Sequence, residues 1–311
     1  MKRVLMRVGL GLVLVLAGIV VSLCVAGASY APTLAVPPGF AGKYVDVAGV
    51  SLRVLQEGAG RDLLLIHGSP GSLEDYALQA KELASSFRVT RYDRPGHGFS
   101  ATGEGYSFAY NAQIALALIE KLKLERVIVV GHSYGGSTSL ALALLRSPRV
   151  TAHVVIDSAA YKPVRPVNPL YKYTSLPVLG LGLLRAIPRE AVRKKVAQAL
   201  HDEFLAGPPP KGFVELRSNM WTEPKIGHTL AKEHLHSAEE LRTLSPHYPE
   251  IKAPVYFIAQ NDSAPRREGA EHFKRDVPQT VLVLQPNSGH YIQFEQPAAV
   301  TQLILRAAAE H

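Results

Sequence analysis

Gly131-His132-Ser133-Tyr134-Gly135 directly follows the apolar run Val127-Ile128-Val129-Val130 and directly precedes Gly136 and the helix-like stretch 137–145. The order is strand, then G-x-S-x-G, then helix. Such a turn is sharp, and strand and helix pass so close that neither Gly131 nor Gly135 has room for a Cβ. It pushes the serine Oγ out of the sheet. The helix behind it aims free N–H groups and its positive dipole end at that oxygen. Ser133 therefore reads as a nucleophile. The competing reading is a glycine-rich turn carrying a solvated serine, and the β-branched strand before the motif and the helix after it weigh against that.

Outward from this motif, short apolar runs alternate with helical patterns. Residues 43–47 and 51–56 read as a hairpin around Ala48-Gly49. Residues 63–66 form a continuous apolar run, as expected of a strand buried on both faces. A helix over 73–85, a strand over 88–92 and a helix over 108–122 follow, then the strand before the elbow and another at 154–156. The pattern resumes with strand 255–259, helix 266–275, strand 281–284 and a last helix from Pro297. This predicts a mostly parallel sheet with helices on both faces. Residues 160–245 interrupt it with prolines and helical stretches and read as a helical cap inserted between two strands.

The N-terminus has a different character. Lys2, Arg3 and Arg7 precede residues 8–26, which carry no charge. About 20 apolar residues span a bilayer as a helix, whereas a signal-peptide core runs to roughly 7–15. We expect a transmembrane anchor within 1–27, a linker over 28–42 and a single α/β domain over 43–311. The positive flank predicts that the domain faces outward from the cytoplasmic membrane. Ala26-Gly27-Ala28 keeps secretion after signal cleavage open as the alternative. Cys24 is the only cysteine, so no intramolecular disulfide forms. It follows Leu23, which does not suit lipoprotein processing.

The net charge of +8 is uneven. Residues 161–200 hold Lys162, Arg165, Lys172, Arg185, Arg189, Arg193, Lys194 and Lys195 against the single acid Glu190. No basic-aromatic array accompanies them, which argues against a nucleic-acid partner. Combined with the apolar stretch 176–184, they suit an anionic lipid surface; an ordinary solvated basic face is the plainer reading.

A serine needs a base, and the base needs an orienting group. His290 follows the strand at 281–284, and Asp262 follows the strand at 255–259. Ligands of open α/β sheets bind outside the carboxyl ends of strands, where all three would meet. Asp157 also follows a strand end and is the alternative acid. The chain resembles the α/β-hydrolase superfamily over about 43–308. The matching motifs are His67-Gly68-Ser69-Pro70-Gly71, Asp93-Arg94-Pro95-Gly96-His97-Gly98-Phe99-Ser100, the elbow, Asp262 and Ser288-Gly289-His290. The resemblance implies Ser133 as nucleophile, His290 as base and Asp262 as orienting carboxylate, with the backbone N–H groups of Ser69 and Tyr134 as the oxyanion hole. It implies no cofactor or metal.

Serine at 133 sets the chain apart from superfamily members with an aspartate nucleophile. The expected activity is cleavage of carboxylic esters, including lipid-like ones, through an acyl-enzyme. An aminopeptidase or amidase, and a catalytically silent binding protein, are the alternatives. His67, His97 and His132 are expected to shape loops by hydrogen bonding. Glu233, His234 and His236 are expected on a solvated cap helix rather than around a metal. Trp221 is expected either in the substrate pocket or in the packing of the cap.

Overall fold

The structure, a computed structural model, describes residues 2–32, 36, 39–163 and 166–311, with side chains described from Leu5 onward. The Lys2 and Arg3 side chains of the positive flank, Pro37-Pro38 of the expected linker and Arg165 of the basic segment lie outside the described residues.

Strands β1 (Lys43–Val47), β2 (Val50–Glu57), β3 (Arg61–Ile66), β4 (Phe87–Tyr92), β5 (Val127–His132), β6 (Val150–Ile156), β7 (Val255–Gln260) and β8 (Val281–Gln285) form one sheet. Their spatial order is β1-β2-β4-β3-β5-β6-β7-β8. The pairs β1–β2 and β2–β4 are antiparallel, and every other pair is parallel. In the first hairpin Ala48 and Gly49 both have positive φ, 49° and 79°, as a tight two-residue turn between twisted strands requires.

β5 shows why its sequence lacks alternation. Val127 and Val129 enter one core with Ile114, Leu118 and Ile119, while Ile128 and Val130 enter the other with Val300 and Ile304. The strand is therefore apolar on both faces, and each fully buried Val or Ile contributes roughly 1.5–3 kcal/mol. Helix α1 (Lys2–Ala28) precedes the sheet. α2 (Ala77–Leu83), α3 (Phe108–Lys121) and α4 (Tyr134–Leu144) join its first strands. The helix expected over 73–85 divides into a 3₁₀ turn, Leu73–Tyr76, and α2.

After β6 the chain leaves the sheet for α5 (Tyr171–Thr174), α6 (Pro177–Ala186), α7 (Arg189–His201), α8 (Phe213–Met220) and α9 (Pro224–Leu244). It then returns for β7, α10 (Ala264–Asp276), β8, α11 (Ile292–Glu295) and α12 (Pro297–Glu310). These five middle helices cover the carboxyl ends of the strands. Their apolar cluster, Val196, Leu200 and Phe213, closes on Tyr291, the residue after His290. The Phe204 and Tyr291 rings stack with centroids 5.2 Å apart.

α9 is solvated on one face only: His236 is exposed as expected from sequence, whereas His234 is half-buried and Glu233 is not solvated at all. Glu233 is buried, with Oε1 2.5 Å from Arg94 Nη1 and Oε2 3.0 Å from His97 Nε2. Arg217 of α8 forms a buried ion pair with Asp75, and Lys225 Nζ donates to the Ser100 carbonyl at 2.8 Å. The amphipathic face of α9 turns toward the sheet, which is what carries Glu233 inward.

The segment expected as a linker is also partly docked. α1 stands clear of the body over residues 5–22 and then meets α6. A Cβ on Gly27 would collide with the Val178 carbonyl, and one on Gly182 with the Leu23 carbonyl, so the two backbones touch. Arg185 donates to the Ala26 carbonyl and, at 3.1 Å, to Ser29 Oγ; Tyr30 Oη donates to Glu223 Oε2 at 3.4 Å.

Candidate active site

Ser133 sits between β5 and α4 at φ 53°, ψ −119°, a strained conformation that a non-glycine residue adopts only when its surroundings hold it there. They do. Ser133 N donates to the Ile156 carbonyl at 2.9 Å, and Ser158 Oγ donates to the Ser133 carbonyl at 2.7 Å. A Cβ on Gly131 would run into the Gly135 carbonyl, and one on Gly135 into the Ile66 carbonyl. Both glycines are fixed by close approach, as the sequence implied.

Ser133 Oγ lies 2.9 Å from His290 Nε2, and His290 Nδ1 lies 2.6 Å from Asp157 Oδ2. A carboxylate only accepts, so Nδ1 carries the proton and the lone pair on Nε2 faces the serine hydroxyl. The acid at this position corrects the sequence reading. Asp262, expected to orient His290, instead accepts the Asn287 N–H on Oδ2 at 2.8 Å. It lies in the turn beyond β7, whereas Asp157 follows β6 directly and is fully buried beneath the histidine. Asp157 also accepts from Gln260 N at 3.0 Å and Gln260 Nε2 at 2.8 Å, with Arg266 Nε at 3.4 Å. Burial pushes its carboxyl up. The Arg266 charge and the hydrogen bonds from His290 and Gln260 outweigh that and leave it well below the usual carboxylate range.

The other histidines position the machinery. His132 Nε2 donates to the His290 carbonyl at 2.9 Å, and the two rings lie 4.7 Å apart. Burial, then the neighbouring His290, push His132 down to about 3, so it stays neutral. His67 Nε2 accepts from Arg94 N at 2.8 Å, which puts the proton on Nδ1 toward the Gly68 carbonyl at 2.7 Å. Arg94 Nε donates to the His67 carbonyl at 3.0 Å and Nη2 to the Gly68 carbonyl at 2.9 Å; its guanidinium lies 4.6 Å over the Tyr134 ring. Arg94, anchored by Glu233, thus braces the loop bearing Ser69 and the residue after the nucleophile. Sequence reasoning saw Arg94 only as part of a motif and missed the roles of Glu233, Gln260 and Arg266.

Ser69 and Tyr134 both line the cavity with Ser133 and His290. Among the described residues, neither backbone N–H donates to a protein acceptor. On the far side, Glu203 O accepts from His290 N at 2.8 Å, and Glu295 accepts from Gly289 N, Leu205 N and Ala206 N at 2.5–2.7 Å. The cap is therefore tied to the histidine loop. The cavity measures about 590 Å³ and includes Asp262, Trp221, Leu200, Phe204, Leu230 and Tyr171 in its wall. Trp221 is thus a pocket residue. His234 lines the same cavity beside Tyr171, its ring centroid 6.1 Å away. Burial lowers its pKa, so it is a neutral wall residue rather than a solvated one.

The model of the alpha/beta hydrolase family matches residues 63–303, and the chain belongs to that family. It is 27% identical over 282 residues to the dihydrolipoyllysine-residue acetyltransferase component of an acetoin cleaving system from Pseudomonas putida, covering 88% of this chain and 70% of that one. Among solved structures, a putative acyltransferase from Salmonella enterica aligns with a TM-score of 0.73 at 22% identity, over 89% of this chain and 98% of the other. A membrane phospholipase A described as a bacterial virulence factor aligns with a TM-score of 0.66 at 23% identity, over 100% of this chain and 99% of its own.

Proposed function

We propose that the protein is a serine esterase that cleaves carboxylic esters, lipid-like ones among them, through an acyl-enzyme on Ser133. The observation that carries this reading is the line from Ser133 Oγ through His290 to Asp157, at 2.9 and 2.6 Å, beside two backbone N–H groups that have no acceptor among the described residues. Ser133 attacks the ester carbonyl while His290 Nε2 takes the hydroxyl proton. The carbonyl oxygen becomes an oxyanion held by Ser69 N–H and Tyr134 N–H, and each such donor lowers the barrier by roughly 3–4 kcal/mol. Asp157 stays ionised and stabilises the imidazolium. The alcohol departs with the proton from His290, and a water deprotonated by the same nitrogen releases the acid.

The leaning toward lipid-like esters rests on the apolar wall of Leu200, Phe204, Trp221 and Leu230. It is also supported by the likeness to a membrane phospholipase along the whole chain, N-terminal helix included. Leu5–Ala28 is long and apolar enough to cross a membrane. We read it as a retained anchor because its last turns pack on α6, with the catalytic domain facing outward. A panel of p-nitrophenyl esters of graded chain length beside aminoacyl anilides, run on wild type and Ser133→Ala, tests the reading. Ester turnover that rises with acyl length and vanishes in the variant supports it. Faster anilide cleavage overturns it in favour of an amidase.

A further inference from the structure

The way α1 leaves the body sets where the cap lies relative to a bilayer. Residues 5–22 are exposed all round, and burial begins at Leu23. At about 1.5 Å per residue the free stretch is roughly 27 Å long, close to the ~30 Å hydrocarbon core of a bilayer. The first turn that touches the protein therefore falls at the outer edge of the hydrocarbon. α6 is packed backbone to backbone on that turn through Gly27 and Gly182, so it lies within one helix packing distance, about 8–10 Å, of the same level. Arg185 reaches back to the Ala26 carbonyl and Ser29, which fixes the exit rather than leaving a free tether.

The surface at that level is unusual for one bathed in water. Leu170 and Tyr173 are 58% and 59% exposed, and Leu176, Val178 and Ile187 are exposed beside them in sequence. Lys172, Arg189, Lys194 and Lys195 are exposed in the same segment, and Glu190 is its only acid. Apolar side chains flanked by cations suit the boundary between acyl chains and anionic headgroups. The inner side of this segment is a wall of the catalytic cavity, through Val167, Asn168, Tyr171 and Leu200.

We infer that α5, α6 and the start of α7 form a membrane-contact face that sits in the headgroup layer of an anionic bilayer and delivers amphiphilic esters from it to Ser133. This rests on the esterase reading for the chemistry, while the contact itself does not. Continuity with α1 and the positive charge of the segment make a bilayer the occupant of this face.

The test uses the full chain in vesicles of phosphatidylcholine and phosphatidylglycerol. Cys24→Ser removes the only cysteine, and a fluorophore is then placed singly at Leu170→Cys, Tyr173→Cys or Lys123→Cys. Lys123 is exposed and lies just before β5, at the amino ends of the strands, opposite the site. Spin-labelled lipid should quench labels at 170 and 173 and spare the label at 123. No quenching at 170 and 173 overturns the contact, as does energy transfer between labels on two copies, which would mean that a second chain covers the face. The variant combining Lys172→Gln, Lys194→Gln and Lys195→Gln should lose at least about three-fold of activity on vesicle-borne ester. It should keep its activity on a soluble short-chain ester. Unchanged vesicle activity overturns the delivery step. Absence of soluble-ester turnover in the wild type overturns the esterase reading and leaves the quenching result standing.

Discussion

α8 and α9 reach the sheet through buried charges, whereas α5 and α6 lean on α9 and α1 and leave apolar side chains in the open. On the first side, Arg217 meets Asp75, Glu233 meets Arg94 and His97, and Lys225 meets a carbonyl. On the second, the contacts to α1 are glycine backbones and an exposed arginine. Removing one partner of a buried pair costs about 3–5 kcal/mol because a charge is left unpaired. An exposed tie is worth about 1 kcal/mol or less. One half of the cap is therefore a fixed wall that braces the loop bearing Ser69 through Arg94. The other packs backbone to backbone on α1 and leaves apolar side chains exposed on its outer side.

The largest expected effect falls where both halves meet. Asp157→Asn, Ser133→Ala and His290→Ala should each lower kcat by about 10⁴-fold, with the Ser133 and His290 double variant little worse than either. Asp262→Asn should stay within about three-fold of wild type, since its carboxylate serves a backbone N–H. Steady-state kinetics on a p-nitrophenyl ester decide this, and the reverse ranking would return Asp262 to the site.

The next effect separates the two halves of the cap. Glu233→Gln should destabilise the protein by about 3–5 kcal/mol and lower kcat more than it raises KM, because Arg94 loses its anchor beside the Ser69 loop and the Tyr134 ring, where we propose the oxyanion is held. Arg185→Gln, on the α1 side, should cost about 1 kcal/mol or less and leave kcat on soluble esters unchanged. Urea denaturation and kinetics on both variants measure the contrast, and similar losses would erase it.

How far the site was legible follows from these residues. The elbow was readable because a tight turn is local: Gly131, Ser133 and Gly135 depend on atoms within a few residues or on the adjoining strand. The choice between Asp157 and Asp262 was not local. Both end strands at the same edge of the sheet, and only packing decides which carboxyl lies beneath His290. The signal was present in part, since Asp157 ends its apolar strand directly while Asp262 stands beyond Gln260 and Asn261. Glu233 was misplaced because a charged helical residue reads as solvated until its partner, 139 positions away, is known. The α1–α6 contact was invisible for the same reason: Gly27 and Gly182 carry no pattern that names each other.

A smaller effect comes from pH. His153 and His132 are buried and neutral, with burial pushing them to about 4 and about 3 from the ordinary 6.5. The unfolded chain takes up protons below pH 6.5 that the folded chain refuses. Their contribution is complete above that pH and is lost as pH falls toward 4 and 3. Glu233, held near 2 by Arg94 and His97 against the upward push of burial, should keep the pinned half ionised through most of that range. Melting temperatures between pH 7 and pH 4 should fall steadily, and His153→Gln should flatten the slope. Asp93 and Glu240, raised by burial to about 6 and about 7, act in the opposite direction, so a slope left unchanged by His153→Gln is the result that would contradict the buried neutral assignment.

Every step of the proposed reaction starts from Ser133 as an activated nucleophile. Intact-mass measurement after exposure to a fluorophosphonate tests it most directly. We expect one phosphonyl adduct per chain, mapped to the peptide carrying Ser133. Labelling should be absent in Ser133→Ala, strongly slowed in Asp157→Asn and near normal in Asp262→Asn. An unlabelled wild type, or an adduct that persists in Ser133→Ala, would contradict it.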